Sequence, residues 1–469
     1  MFRSITNTLA NCFKIPELKS RILFTIALLA VCRLTAFIVI PGLNGQALAQ
    51  FMDESRQTSG GLLVLYNTFA GGALGNCAVS ALGIMPYISA TIIIQLLTAV
   101  WPKLSKLARE EGGRTKIIQY GRYLTVLLCI GQGLYFANTW LTPERAFNGW
   151  HGGQLVMGSN HFMYFFVTVT VMTAGTMLLM WIGEQITERG IGNGVSLVIT
   201  IGILSRLPNA VQGAVDMFST HGNTTEPTHR FLGTGIVLVI LLIFVIGSVI
   251  AITQAQRKIP VQYAQRAVGR KMYAGSTSFM PLRVNYAGVM PIIFAQSILM
   301  FPEPLLRNLE AWVTTPSLKF VPEFCRWAEI QLAYGSFVYL FLYAMMILFF
   351  SYFWVATQFN EIQIADDLKK NGGYIPGVRP GQGTSDYLHN AMIRITLAGA
   401  IFLTFIATIP IILSRKMGVD QNVASFFGGT SILIAVGVLL DTMRQVESHL
   451  MMRHYDGFLK KGRIRGRFS

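Results

Sequence analysis

The sequence has little charge for its length. Only 13% of its 469 residues are Asp, Glu, Lys or Arg and 52% are apolar, whereas soluble domains typically carry about a quarter charged residues. Acidic residues are fewer than basic ones, with 22 Asp and Glu against 38 Lys and Arg. Mean hydropathy is +0.49. These values exclude the several soluble domains that the length alone would suggest and predict an integral membrane protein. Its basic excess either meets anionic lipid or forms a docking surface.

The sequence also lacks the motifs of metal sites, disulfide frameworks and common enzymes. No two cysteines stand at a C-x-x-C spacing, and their number is odd, so neither a zinc site nor a disulfide framework is supported. No Walker A, H-E-x-x-H or G-x-S-x-G motif occurs. Several long apolar runs contain no carboxylate, histidine or lysine of the kind that ion-coupled transporters bury. We therefore expect no enzyme activity, no cofactor and no ion pump. The cysteines are Cys12, Cys32, Cys77, Cys129 and Cys325.

Apolar runs near the roughly 20 residues that cross a bilayer predict ten transmembrane helices. The first lacks a small-residue cleavage site, so we interpret it as a retained span and not as a signal peptide. With ten spans, most of the Lys and Arg residues lie on one side of the membrane. Because basic residues concentrate in cytoplasmic loops, that side is predicted to be cytoplasmic, and both termini lie there. The predicted spans are 22–40, 81–100, 118–140, 161–182, 194–213, 233–253, 284–301, 334–356, 390–413 and 426–443.

The ten spans divide into two halves of five. An odd number of spans in each half makes the second half enter the membrane from the opposite side, which is the geometry of an inverted repeat. The predicted organisation is an N-terminal half at 1–213, an external hinge loop at 214–232, a C-terminal half at 233–443 and a basic cytoplasmic tail at 444–469.

An apolar, glycine-broken stretch follows the first span on the outside. Residues 61–75 are too few to cross as a helix, and irregular backbone at membrane depth must be buried in protein or line a wet cavity. We interpret the stretch as a short helix that folds back into the protein, although an amphipathic helix on the outer surface is the alternative. Arg33, the most interior charge, could pair with another span or a helix C-terminal carbonyl, or extend toward the outer interface.

The two longest cytoplasmic loops differ in character. Loop 254–283 has six basic residues and no acidic one, and its alternating pattern followed by GSTS predicts a hairpin with a turn at GSTS. In loop 357–389, Pro376 and Pro380 stiffen the backbone around Arg379. A stiff projecting loop suits protein recognition, while a plain connecting turn would use the same residues. For loop 254–283 the alternative is a solvated basic loop that only sets orientation.

Glycines and aliphatic pairs mark the spans at 81–100 and 194–213. Gly190, Gly192 and Gly194 stand just before a span, where alternate glycines permit a sharp entry or flexing at a helix start. No soluble strand precedes them, so a nucleotide loop is not indicated. Two aliphatic pairs are spaced four apart, on one helix face each, and packing in the core or against lipid is the simplest account. The pairs are Ile84 with Ile88 and Val195 with Ile199.

Five stretches, in order along nearly the whole chain, resemble the SecY family, the channel subunits of the bacterial protein translocase. The external segments 141–160 and 303–333 match less well. The five stretches are FAGGALGNCAVSALGIMPYISATIIIQLL (69–97), ITERGIGNGVS (186–196), VNYAGVMPIIFAQSI (284–298), ADDLKKNGGYIPGVRPG (365–381) and GGTSILIAVGVLLDTMRQVESHLM (428–451).

The resemblance implies an all-α membrane protein of ten helices in two inverted halves, with a pore between them and a re-entrant plug. Such a protein passes unfolded polypeptides across the membrane and releases apolar segments sideways into lipid. By motif, the pore ring is Ile84, Ile88, Val195, Ile199, Ile293 and Ile434. The plug includes Gly61, Leu62, Leu63, Phe69, Gly71, Gly72 and Gly75.

The resemblance also implies partners and a location. Arg257, Lys258 and Arg379 would dock the SecA ATPase and the ribosome, while Gln95 and Asn285 would hydrogen-bond across a lateral gate. SecE and SecG would be small membrane partners, secretory and membrane polypeptides the substrates, and anionic lipid a further contact, with no specific nucleic-acid site. The location would be the bacterial inner membrane. An inverted-repeat transporter of small solutes is the alternative function, and a membrane scaffold a third.

Overall fold

The computed structural model is mostly helical. It describes residues 15–54, 62–110, 112–143, 150, 153–157, 160–218, 229–263, 266–268, 271–273, 277–299, 302, 306, 320–333, 335–417 and 430–461. The helices are α1 Pro16–Thr35, α2 Gly45–Glu54, α3 Leu62–Phe69, α4 Met85–Val100, α5 Pro102–Arg109, α6 Gly113–Leu141, α7 His161–Arg189, α8 Gly194–Leu204, α9 Leu207–Phe218, α10 His229–Gln254, α11 Met290–Leu299, α12 Phe320–Leu332, α13 Phe337–Gln358, α14 Glu361–Lys370, α15 Gln382–Met417 and α16 Thr430–Lys461.

Within the described residues, five helical segments are long and apolar enough to cross a membrane, and a bent sixth also qualifies. The bent one continues α4 into Pro102–Ala108 at 103°. Shorter apolar helices occupy Val239–Gln254 and Met290–Leu299. All of these overlap predicted spans, while the total of ten stays a prediction. The five segments are Gly113–Leu141, His161–Arg189, Gly194–Gln212, Phe337–Lys370 and Gln382–Ile409.

The first and seventh predicted spans are shorter as helices than the apolar runs suggested. Helix α1 ends at Thr35 and not at residue 40, because Ala36 and Phe37 form a turn and Val39 then pairs with Ala78 of the returning chain. The Val79 N–H donates to the Ile38 carbonyl at 2.9 Å, and the Ile40 N–H donates to the Cys77 carbonyl at 2.9 Å. Helix α11 begins only at Met290. The apolar composition predicts that these segments are membrane spans, but it does not predict where their helices begin and end.

The described chain divides into two compact units. The first takes the chain up to Ile94, Leu107–Asn209 and the chain from Val438 onward, and the second takes Gln95–Lys106 and Ala210–Gly437. In the first unit α7 packs against α1, α6 and α8. In the second, α13 packs against α11 and α15.

The second unit also carries a small antiparallel sheet. Strand β1 Gln256–Tyr263 pairs with β4 Thr277–Arg283, which confirms the predicted hairpin. The predicted turn at GSTS is wrong, because Thr277 and Ser278 pair within β4, and the short strands β2 Arg266–Val268 and β3 Lys271–Tyr273 pair beyond them.

Strand β1 has a second partner, in the loop 357–389 that the sequence predicts to be cytoplasmic. Its last two residues pair with β5, Gly373–Tyr374, so the strand order is β4-β1-β5. The inward face of β1 packs Ile259 into a core with Leu282, Phe359 and Leu388. The two loops that the sequence treated separately are therefore parts of one sheet.

Candidate functional site

The segment between α3 and α4 is a compact buried loop in the first unit. The predicted helix 61–75 is shorter in the structure, since α3 ends at Phe69. Gly71 and Gly72 then adopt φ values of +64° and +89°, a left-handed backbone that stops a helix and favours glycine. Gly61 lies outside the described residues.

Hydrogen bonds within the loop fix its path. The Asn67 side-chain oxygen accepts from the Gly75 N–H at 3.0 Å, and the Asn67 carbonyl accepts from the Gly72 N–H at 2.8 Å. The Tyr66 hydroxyl donates to the Leu82 carbonyl at 2.9 Å, just before α4 begins. We call residues 66–83 the folded-back loop.

Three spans surround the folded-back loop with unusually close contacts. On α8, a Cβ added to Gly202 would lie 3.1 Å from the Phe69 carbonyl oxygen. On α7, a Cβ added to Gly175 would lie 2.1 Å from the Val79 carbonyl oxygen. On α1, the Arg33 guanidinium donates from Nη1 to the Gly71 carbonyl at 2.9 Å. Helices α7 and α8 thus approach the loop closely at glycines, which have no side chain. Helix α1 contacts the loop through the hydrogen bond from Arg33.

A small cavity of about 30 Å³ lies between the folded-back loop and the residues around Arg33 and Gly202. That volume is enough for about one water molecule. Its lining brings the folded-back loop next to a predicted ring residue and to α1 and α8. The lining includes Arg33, Phe69, Ala70, Ile84, Val198 and Gly202.

The predicted ring residues are apolar groups inside the two units. In the first unit Ile84 precedes α4, Ile88 lies in its first turn, and Ile199 lies on α8; all three are buried, while Val195 is half-buried. In the second unit Ile293 on α11 and Ile434 on α16 are buried. Their convergence on one constriction stays a prediction.

The glycine-rich turn at residues 190–194, which we call the glycine hinge, is held by its own Asn193 and by side chains from α7 and α1. The Asn193 side chain caps α8 by accepting from the Ser196 N–H. Thr187 on α7 accepts from the Gly194 N–H at 2.9 Å, and Thr25 on α1 accepts from the Ile191 N–H at 3.1 Å. The hinge is therefore a fixed connection in this structure, whereas alternate glycines alone permitted flexing.

The predicted gate residues are not joined in this structure. Gln95 lies on α4, with its Oε1 buried and without a hydrogen-bond partner. Asn285 is buried in the irregular segment before α11. Between these two described side chains there is no hydrogen bond, so their role at a gate stays a prediction.

The predicted docking residues are exposed on the three-stranded sheet β4-β1-β5, which we call the cytoplasmic sheet after its predicted location, and on its neighbouring turn. Arg257 and Lys258 project from β1, and Arg379 lies on the turn after β5. The Arg379 carbonyl accepts from the Thr384 hydroxyl at 3.0 Å, and Gly381 beside it has φ +94°. The hydrogen bond helps to hold the backbone of the turn, and the Arg379 side chain is exposed; its docking role stays a prediction.

An ion pair that the sequence left unassigned links two spans. Arg122 on α6 binds Glu184 on α7 through two bonds, at 3.2 Å from Nε and 2.8 Å from Nη2. A basic residue inside an apolar run signals such a partner, but the 62-residue separation conceals which one. In the part of the chain that the structure describes, no cluster of His, Cys, Asp or Glu could hold a metal ion.

Comparisons of the sequence point to one family. The family model for SecY matches residues 78–443. The chain is 42% identical over 468 residues to the protein translocase subunit SecY of Chlamydia muridarum, a similarity that covers 98% of this chain and 99% of the relative.

Comparison of the fold with solved structures finds protein-conducting channels. A structure described as that of a protein conducting channel aligns with 91% of this chain and 91% of its own, with a TM-score of 0.56 and 17% identity. Sec61 in a canine ribosome-channel complex from the endoplasmic reticulum aligns over the same shares, with a TM-score of 0.51 and 17% identity. At these identities the likeness is one of fold.

Proposed function

The chain belongs to the SecY family, and we propose that it is the channel-forming subunit of a membrane protein translocase. It passes unfolded polypeptides across the membrane and releases their apolar segments sideways into lipid. The observation that carries this function is similarity to a protein translocase subunit along 98% of the chain. No specific observation favours the alternative solute transporter.

The seal of the resting channel combines an aliphatic ring and a plug. Branched apolar side chains can exclude water and hydrated ions without any charged filter, and they make no sequence-specific contacts with a passing chain. Burial of the five ring isoleucines within their units supports this assignment, as does the cavity that Ile84 shares with the folded-back loop. The ring is Ile84, Ile88, Val195, Ile199, Ile293 and Ile434. The plug is the segment from Gly61 to Gly75.

The halves 1–213 and 233–443 form the two sides of the pore, with 214–232 as their external hinge. Apolar segments leave between the second and third spans on one side and the seventh and eighth on the other. Gln95 and Asn285 belong to this gate; the unpartnered buried oxygen of Gln95 supports the idea that it bonds to a polar group in another state of the gate.

The cytoplasmic sheet is the docking surface for the proteins that drive transport. Exposed Arg257, Lys258 and Arg379 supply positive charge there, and a solved protein of this fold is in a ribosome-channel complex. SecA and the ribosome bind this surface, SecE and SecG bind within the membrane, and anionic lipid contacts the basic cytoplasmic side. This multi-pass protein lies in the bacterial inner membrane with both termini cytoplasmic.

Reconstitution tests the function directly. The full chain, purified from native membrane with the subunits that stay bound, is placed in phosphatidylethanolamine and phosphatidylglycerol vesicles. SecA, ATP and an unfolded secretory precursor are then added. We expect the precursor to become protected from external protease only when ATP is present. Ion-driven uptake of a small solute without precursor protection would support the transporter instead.

A further inference from the structure

Arg33 is a charged side chain near the end of α1 whose partner belongs to a distant part of the chain. Its Nη1 donates to the Gly71 carbonyl at 2.9 Å, across 38 residues. Its guanidinium carbon lies 5.4 Å from the centre of the Phe37 ring. Among the described residues no carboxylate forms an ion pair with Arg33, so a neutral carbonyl and an aromatic face compensate its charge.

The acceptor is shaped for this contact. A Cβ added to Gly71 would lie 2.6 Å from Arg33 Nη1 and 2.9 Å from the Gly202 Cα, and the φ of +64° disfavours other residues. Only a residue without a side chain lets the guanidinium and α8 approach its backbone together. The Arg33 bond therefore fixes the loop at a point where its backbone packs directly against α8.

We propose that Arg33 is a latch that holds the folded-back loop in the resting position and so sets how often the channel opens without a substrate. The inference rests on the proposed seal and adds the residue that controls it. In a medium with little water, a half-buried guanidinium gains much from a carbonyl acceptor. Losing the bond removes that gain from the closed state alone, because an open pore hydrates Arg33.

The adjoining cavity supports a reversible latch. It is lined by Arg33 and by Ile84 and has room for about one water molecule. When the loop leaves, water can enter from this side and bind the guanidinium, so the open state does not leave an unsolvated charge. Arg33 is thus a positioning residue with a partner in each state.

The test measures ion leak through the full chain with its bound subunits in potassium-loaded vesicles. We expect Arg33→Gln to raise the resting leak roughly tenfold or more, as loss of one charge-assisted hydrogen bond implies. Arg33→Lys, which keeps the charge but loses the guanidinium fork, should give a smaller rise. The matched control is Arg122→Gln, which removes an arginine bound to Glu184 and not to the loop; it should leave the vesicles tight.

A second measurement separates a latch from general damage. Gly71→Ala crowds the same bond from the other side, and in a latch its leak and that of Arg33→Gln should not add in the double variant. Labelling of Ala70→Cys by a membrane-impermeant maleimide should become faster with Arg33→Gln. Additive leaks with unchanged labelling would overturn the latch.

Deletion of residues 62–70 distinguishes a failure of the Arg33 latch from a failure of the proposed channel seal. If the deletion leaks and Arg33→Gln stays tight, the seal holds and the latch is wrong. If the deletion is itself silent in folded, inserted protein, the proposed seal fails together with the latch.

Discussion

The backbone N–H of Gly192 donates a hydrogen bond to Oε1 of Gln445 at 2.8 Å, across 253 residues of sequence. Gly192 belongs to the hinge before α8, and Gln445 lies on α16. Beside the bond, Ile191 packs with Leu18 of α1 and Val446 of α16. The loop that leads into α8, and with it Val195, is therefore held by the first and last described helices.

Removing the Gln445 acceptor should weaken the first unit. Gln445→Leu leaves the buried Gly192 N–H without its partner, and an unsatisfied buried donor costs about 1–3 kcal/mol. We expect a lower midpoint of thermal unfolding in detergent. Gln445→Glu keeps an oxygen acceptor and serves as the control; equal loss in both variants would show that the hydrogen bond is not the cause.

The Arg122 and Glu184 pair should contribute to stability and not to gating. Both side chains are partly exposed, so the pair is worth roughly 1 kcal/mol. We expect Glu184→Gln to lower the unfolding midpoint slightly, and the exchange Arg122→Glu with Glu184→Arg to restore part of the loss. A double-mutant cycle with no coupling would contradict a direct pair.

Gly202 should be intolerant of larger side chains. A valine there would place carbons against the Phe69 carbonyl oxygen, which already lies 3.1 Å from the Cβ position. We expect Gly202→Val to displace the folded-back loop and raise resting ion leak. Gly247 on α10 has open space around its Cβ position, so Gly247→Val is the matched control; equal leak from both would argue against loop displacement.

Polar substitution in the ring should open a conduction path. Ile88→Ser combined with Ile199→Ser adds hydroxyls and removes apolar width, so the constriction becomes easier to wet. Single-channel recording of the reconstituted complex should show conductance. Leu127 on α6 is 67% exposed, and Leu127→Ser should stay silent. Silence from the ring variant, once folding and insertion are shown, would return both isoleucines to a purely structural role.

If the sheet β4-β1-β5 and its neighbouring turn are the proposed docking surface, charge reversal there should impair partner binding without unfolding the protein. Exposed substitutions usually change stability by less than about 0.5 kcal/mol, so Arg379→Glu should be folded but defective in SecA-dependent transport. Arg257→Glu with Lys258→Glu should weaken SecA or ribosome binding most at low salt, where charges are least screened. Binding that matches the parent at every salt concentration would exclude these residues from the interface.

Local patterns in the sequence predicted the elements but not their distant partners. Alternation at Ile259 and Val261 indicated a strand with one buried face, and both are buried. The turn was misplaced because GSTS has turn composition, whereas its Thr277 and Ser278 fit the ladder register equally well. Amino-acid composition indicates which segments could form a turn. The hydrogen-bond pairing between the two strands determines which of those segments is the turn.

Contacts over long separations were beyond the sequence. Arg33 was recognised as an interior charge with several possible partners, and its acceptor is a backbone carbonyl, which has no sequence signature. Strand β5 is only two residues long, too short for any period to appear. Such features arise from how helices pack, so only the folded chain identifies them.

The shared sheet has a mechanical consequence. Because β1 bonds to β4 on one side and to β5 on the other, a force applied to either of the two long loops passes through main-chain hydrogen bonds into the other. The sheet thus joins the chain that follows α10 to the chain that follows α13. Epitope tags or cleavage sites inserted between residues 359 and 372 would lengthen the connection between α13 and β5 and so change how force passes from one loop to the other.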